Sequence, residues 1–189
     1  MLTWDELEAA CGSCTLCDLH KTRTNVVFGA GIHNAEVLFV GEGPGESEDL
    51  KGEPFVGRAG LLLDDMLKII GLSRKENIYI ANIVKCRPPN NRDPLNAERE
   101  ACLKWLRAQY SLIKPKIVVC LGRIAAAELI DKDLKITRDH GKVFDKDGVK
   151  FTAIYHPSAL LRDPHRRPET FVDLKEIKRL IGDICTHTL

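Results

Sequence analysis

Val37-Leu-Phe-Val-Gly-Glu-Gly-Pro-Gly-Glu-Ser-Glu-Asp49 joins an apolar run to a turn holding three glycines, a proline and four carboxylates. An unbroken apolar run of this length, without polar alternation, is the pattern of a strand covered on both faces, as in a parallel sheet between helices. Gly41, Gly43 and Gly45 can take backbone angles closed to other residues and let a ligand approach the main chain, while Pro44 stiffens the loop between them. Pro54-Phe55-Val56-Gly57 follows closely. The stretch is a candidate active-site floor. Read alone it is equally a surface turn, since a lone glycine-rich loop is a weak signal.

Working outward, three further apolar runs at 77–84, 116–122 and 150–155 join 36–41 as predicted strands, and the 116–122 run is almost wholly apolar as well. Amphipathic segments fall between them. Thr3 is placed to cap a first helix reaching Ala10, and helices are predicted over 59–70, ending before Gly71, and over 96–111, 123–129 and 168–181. The alternation predicts an α/β fold, a three-layer αβα sandwich with a central, mostly parallel four-stranded sheet. There is no internal repeat and no low-complexity linker, so 1–189 is expected to be a single domain. Ligands of such sheets sit beyond the carboxyl ends of the strands, which singles out 42–49, 85–93 and 156–164.

Bulk composition excludes more than it selects. Lys plus Arg number 28 and Asp plus Glu 27, a formal net charge of +1, so affinity for nucleic acid must come from local clustering. No stretch has the length and apolarity of a membrane span, and the first residues lack the basic start and apolar run of a secretion signal. A cytoplasmic location is expected. The seven cysteines are then read as metal ligands, thiols or core residues rather than a disulfide framework.

Cys14 and Cys17 have the two-residue gap that lets both thiolates reach one metal centre, and Cys86 and Cys102 add two more from a loop and a helix. Cys11 competes as a ligand, Cys120 within Val118-Val-Cys-Leu-Gly122 reads as core, and Cys185 reads as idle. Spacing alone accommodates zinc or an iron–sulfur cluster, with zinc favoured, because both accept four cysteines. The third constellation is His156-Pro-Ser-Ala-Leu-Leu-Arg-Asp-Pro-His-Arg-Arg167, directly after a predicted strand. A histidine followed by proline at a strand exit can donate to a developing anion, and leucines beside arginines combine wedge material with phosphate-binding charge.

Together these residues resemble the family 4 uracil-DNA glycosylases, the iron–sulfur branch of the uracil-DNA glycosylase superfamily. The resemblance runs from about Cys14 to about Ile181. Gly41-Glu-Gly-Pro-Gly45 resembles that family's first motif, His156-Pro-Ser-Ala-Leu-Leu161 its second, and Asn82-Ile-Val-Lys-Cys-Arg-Pro-Pro89 the stretch linking a base-reading asparagine to a cluster cysteine.

The resemblance implies a monofunctional enzyme that flips uracil out of DNA, hydrolyses its N-glycosidic bond and so begins base excision repair. It implies a [4Fe-4S] cluster on Cys14, Cys17, Cys86 and Cys102, replacing the zinc preference. Glu42 is implied to position water and His156 to donate to uracil O2, with backbone N–H groups near Gly43 assisting. Phe55 is to stack on the base, Asn82 to read its N3–H and O4, and Glu48 to exclude the thymine methyl. Leu160 or Leu161 is to fill the vacated gap, with Arg162 near the phosphates. Better-known uracil glycosylases carry an aspartate one position after Glu42, where this chain has Gly43. A sister branch traps uracil-DNA through a histidine in the loop after the asparagine strand; 85–94 contains no histidine, so turnover is expected. The implied partner is uracil-containing DNA, single- or double-stranded, with a sliding clamp or polymerase as a further candidate, no membrane, and a monomeric state. The alternative from another class is an iron–sulfur DNA-binding module without turnover, serving a polymerase or repair complex.

Overall fold

The computed structural model describes residues 2–189. Among them six strands form one mixed sheet: β1 (Ala30–Gly31), β2 (Val37–Gly41), β3 (Ile78–Asn82), β4 (Ile117–Leu121), β5 (Val143–Lys146) and β6 (Val149–Ile154), in the order β1-β3-β2-β4-β6-β5. The inner four are parallel, with Val37 opposite both Ile78 and Ile117, and Ile117 opposite Lys150. β2, β3 and β4 are buried at every residue, the physical counterpart of their unbroken apolar sequences.

Successive side chains of a strand point to opposite faces, and helices cover both. Leu38, Val40, Tyr79, Ala81, Val118 and Cys120 pack against Leu7 of α1 (Trp4–Gly12), Leu103 and Leu106 of α4 (Asn96–Ile113), and Ala125 and Ala126 of α5 (Arg123–Leu129). Val37, Phe39, Ile78, Ile80, Ile117 and Val119 pack against Leu63 and Leu67 of α3 (Arg58–Ile69), Leu160 of α7 (Pro157–Arg162), and Leu174 and Ile177 of α8 (Arg167–Ile184). The two short helices α2 (Glu46–Lys51) and α6 (Ile136–Asp139) complete the set among the described residues. None of these helices is long and apolar enough to cross a membrane.

The sheet is therefore the expected αβα sandwich, but with six strands rather than four. The additions are antiparallel edges. β1 has only two residues, too few for any alternation, and β5 is largely exposed, so neither carries a burial pattern. β5 and β6 are joined through Asp147 (φ 52°) and Gly148 (φ 84°), the Asp-Gly pair that suits a tight hairpin.

Local chemistry sets the helix ends. Thr3 and Glu6 form a reciprocal cap: Glu6 N–H donates to Thr3 Oγ1 (3.3 Å) and Thr3 N–H to Glu6 Oε2 (2.8 Å). The carboxylate-rich stretch read as turn becomes helical from Glu46, and α2 stops at Gly52, whose φ of 75° is left-handed. α7 starts with Pro157 at its first position, where a missing N–H costs nothing. At the far end, the buried Glu36 carboxylate accepts from the N–H groups of Thr186 (2.8 Å) and His187 (2.9 Å), anchoring the last residues beside the start of β2.

Candidate active site

Because β2, β3 and β6 are parallel, the segments that follow them emerge at one edge of the sheet. They enclose a cavity of about 460 Å³ lined by Glu42, Gly43, Glu48, Phe55, Asn82, His156 and Arg162, together with Asp93, Arg123 and Tyr155. All seven of the first group were expected from sequence at the base, the bond or the DNA.

Gly41 makes the close packing of this floor possible. A Cβ there would lie 2.5 Å from both Asn82 Oδ1 and Phe55 Cζ. Phe55 itself holds a left-handed backbone (φ 53°), which costs a side-chain-bearing residue about 1–2 kcal/mol. That strain is offset by anchors on both sides. Arg74 donates to the carbonyls of Pro54 (Nη1, 2.5 Å) and Phe55 (Nη2, 2.8 Å), while Glu48 Oε1 accepts from the N–H groups of Val56 and Gly57, both at 2.9 Å. Hydrogen bonds to charged groups contribute about 1.5–3 kcal/mol each, so the ring is held where it is.

Asn82 ends β3 and is 2% exposed. Its Oδ1 is buried without a hydrogen-bond partner, a state shared among the described residues only with Thr152 Oγ1. An orphaned buried acceptor costs about 1–3 kcal/mol, which a ligand N–H would recover. His156 caps α7 with its Nδ1 accepting from Ser158 N–H (3.1 Å). A neutral ring so bonded carries its proton on Nε2. Burial pushes the His156 pKa down to about 4, Arg162 adding to the effect and Glu48 opposing it, so the ring is neutral around pH 7. It lies 5.6 Å from the Phe55 ring, tilted by 35°.

Burial also raises the Glu42 carboxyl, with Asp93 adding to the shift and Arg123 and Arg99 opposing it; Asp93 and Arg123 form an ion pair. Gly43 has no room for a side chain, since a Cβ would meet Val84 Cγ2 at 2.6 Å. Of the two leucines expected at DNA, Leu160 is corrected: it is 0% exposed and belongs to the core beneath α7. Leu161, one residue on and so on another helix face, is partly exposed, and Arg162 is exposed.

A second hollow lies on the other side of the residues following β3. Cys14 and Cys17, after α1, meet Cys86, after β3, and Cys102 of α4; Cys11, Arg23, Lys85 and Trp105 complete its wall. Three of the four sulfurs receive an N–H: Cys14 from Trp105 Nε1 (3.3 Å), Cys102 from the Lys85 backbone (3.2 Å) and Cys86 from Arg23 Nη1 (3.4 Å). Burial pushes Cys11 up to about 12 and Cys102 up to about 11, and it raises Cys17 and Cys86. Cys120 sits fully buried in β4, as expected, and Cys185 is half-buried near the chain end.

The family model described as "Uracil DNA glycosylase superfamily" matches residues 28–177. The chain is 50% identical over 190 residues to the Type-4 uracil-DNA glycosylase of Archaeoglobus fulgidus, covering 96% of this chain and 95% of that one. It is 46% identical to the Type-4 uracil-DNA glycosylase of Thermotoga maritima (89% of each chain) and 45% identical to that of Sulfurisphaera tokodaii (89% of this chain, 80% of that one). The chain belongs to the type-4 uracil-DNA glycosylase family. Cys14 and Cys17 lie ahead of the superfamily match, whereas the Archaeoglobus relative extends over nearly the whole chain.

Several residues that build this type-4 pocket carry no local sequence signal. Arg74 reaches the Phe55 turn from the far end of α3, and Asp64 steadies it at 2.8 Å. Arg123 and Asp93 meet only because β4 and the residues after β3 end at the same edge. In the loop after β3, Arg92 is engaged by Glu98 through two hydrogen bonds (2.9 and 2.7 Å), while Arg87 stands 3.7 Å from Glu46. Lys85, in the quoted Asn82 motif, is fully buried, and burial lowers its pKa to about 8. For Lys85 the available signal was its setting among apolar residues and cysteines.

Proposed function

We propose that this chain, acting as a single domain and a monomer, excises uracil from DNA by hydrolysing the N-glycosidic bond and so starts base excision repair. The observation that carries this reading is the orphaned Oδ1 of Asn82, a residue that lines one cavity with Phe55 and an Nε2-protonated His156. Uracil offers an N3–H beside O4, so an amide placed this way accepts from one and donates to the other. Cytosine presents the opposite pattern at both positions, leaving buried groups unpaired.

The rest of the chemistry follows from the same walls. The base is unreachable inside a duplex and must be rotated out at a cost of a few kcal/mol. Stacking on Phe55 offsets about 1–3 kcal/mol of this, Leu161 fills the vacated gap, and Arg162 meets phosphate. Glu48, held by two backbone N–H groups, presents its carboxylate where a C5 methyl would sit. As the bond breaks, negative charge grows on uracil O2 and positive charge on the sugar. His156 donates Nε2–H to O2 while remaining neutral, and the Gly43 backbone N–H adds to it. Glu42 in its ionised form orients water and counters the sugar's charge.

The cysteine hollow fits a [4Fe-4S] cluster held by Cys14, Cys17, Cys86 and Cys102. Thiols whose pKa values burial raises are kept as thiolates by bound metal, and N–H groups directed at sulfur suit that charge. When bound, the cluster supplies Fe–S cross-links that tie the segment after α1 to the Cys86 loop and α4. The substrate is uracil in single- or double-stranded DNA; a sliding clamp or polymerase is the further partner class.

A labelled strand with one deoxyuridine, incubated with protein and then alkali, tests this. A break that needs alkali and weakens in His156→Ala and Asn82→Ala supports a monofunctional glycosylase. Intact DNA from well-folded, iron-loaded protein would remove the proposal.

A further inference from the structure

One buried lysine connects the base pocket to the cysteine hollow. Lys85 is 1% exposed. Its Nζ donates to the backbone carbonyl of Asn82 at 3.0 Å and to Gln109 Oε1 at 2.6 Å, and its backbone N–H donates to Cys102 Sγ at 3.2 Å. Gln109 is fixed in turn, donating Nε2 to the Phe28 carbonyl (3.0 Å) and the Tyr79 hydroxyl (3.3 Å).

The sheet explains why a lysine stands there. On its outer side β3 pairs with β1 only at Tyr79 and Ile80, and the chain regains backbone contact only where Val27 N–H donates to the Lys85 carbonyl (2.8 Å). Asn82, two residues past Ile80, has no β1 partner. A buried carbonyl without a donor is costly, and the Lys85 Nζ takes the place of the missing strand N–H. On the inner side the same residues are pinned by Ile83 N–H to the Gly41 carbonyl (2.9 Å) and Val84 N–H to the Glu42 carbonyl (3.1 Å). The Asn82 backbone is thus gripped from both sides, and its side chain projects from that clamp.

We propose that Lys85 is a positioning residue for base recognition: it fixes the Asn82 backbone from behind, so that the orphaned amide is aimed into the cavity, and it does so from a place supported by the cysteine hollow. This rests on Asn82 reading the base, as proposed above.

The test is a double-mutant cycle of Lys85→Met and Asn82→Ala. It uses single-turnover kinetics on a deoxyuridine strand, inhibition by free uracil, and iron and sulfide per chain. Lys85→Met is expected to keep its iron and sulfide while losing about ten- to hundredfold in kcat/KM and in affinity for free uracil. Added to Asn82→Ala it should cost less than about twofold, because the group it aims is gone. An equal loss in both backgrounds, or unchanged uracil inhibition, overturns the proposal. If Lys85→Met loses iron or fails to fold, Gln109→Leu, which removes the second anchor of the Nζ, is put through the same cycle; additivity there overturns it too. Failure of the parent reading shows separately, as full activity of Asn82→Ala alone.

Discussion

The base pocket and the cysteine hollow lie either side of the residues following β3, and they treat polar atoms in opposite ways. In the pocket, Asn82 Oδ1 lacks a partner, Glu42 is partly desolvated, and His156 keeps an uncommitted Nε2. In the hollow, three sulfurs already receive N–H donors and the surrounding groups are engaged: Arg23 also donates to the Cys14 carbonyl (2.6 Å), and His20 Nδ1 lies 2.8 Å from the Cys17 carbonyl. One region stores unmet hydrogen-bonding capacity for a ligand; the other uses its capacity to hold the chain. Changes at the four cysteines should therefore appear as stability, and changes in the pocket as chemistry, with Lys85 between the two acting on the pocket side.

The largest effect tests that division directly. Cys86→Ala should remove about 4 kcal/mol or more of stability, in the class of metal-site losses, lowering folded yield and unfolding temperature while each surviving folded molecule keeps most of its rate. Normal yield with abolished excision would break the comparison. His156→Ala should behave in reverse, with kcat down about 10²–10³-fold and a loss of stability limited to about 0.5–2 kcal/mol, the cost of the α7 cap; a rate within twofold of wild type would remove His156 from the reaction. Phe55→Ala should cost about 1–3 kcal/mol of binding, measured as weaker inhibition by free uracil, and an unchanged inhibition constant would argue against stacking. Leu161→Ala should lower excision from duplex by roughly tenfold or less, since wedging offsets an opening cost of a few kcal/mol, and leave single-strand excision unchanged; equal losses on both substrates would rule out a wedge.

The gentlest test is pH. In the proposed reaction Glu42 acts in its ionised form, and its carboxyl is raised, so kcat should fall with acidification at a pH above that of an ordinary glutamate. His156 has a folded pKa of about 4 against an ordinary value of 6.5. Its neutral form is favoured by folding, so its contribution to stability is present above pH 6.5 and is lost as pH falls from there toward 4. Unfolding scans of wild type and His156→Asn across that window should diverge on the acid side; parallel curves would show that the ring is not held neutral.

How much was readable depends on the range of the interactions involved. The central strands were legible because burial on both faces leaves an unbroken apolar run, as in 37–41 and 117–121, and the ends of α1, α3 and α5 because caps and glycines act locally. β1 was not legible, since two residues have no pattern. The Asp147-Gly148 turn carried a usable hairpin signal, and it marks β5 in hindsight. Leu160 and Leu161 are indistinguishable as letters in the sequence. About 100° of helical rotation separates them, and only the docking of α7 on the sheet decides which one is core.

By itself the sequence determined the layered α/β architecture, the three loop segments gathered at one sheet edge, the cysteine spacing and the motifs that mark the family, because each depends on neighbours along the chain. Tertiary structure alone decided the orphaned Asn82 oxygen, the neutral Nε2-protonated His156, the Arg74 and Glu48 clamp on a strained Phe55, and the buried Lys85 between pocket and hollow. Most of these depend on desolvation or on contacts between residues far apart in sequence, and the rest on a backbone geometry that packing holds in place. Burial and partnership of that kind exist only once the sheet has assembled.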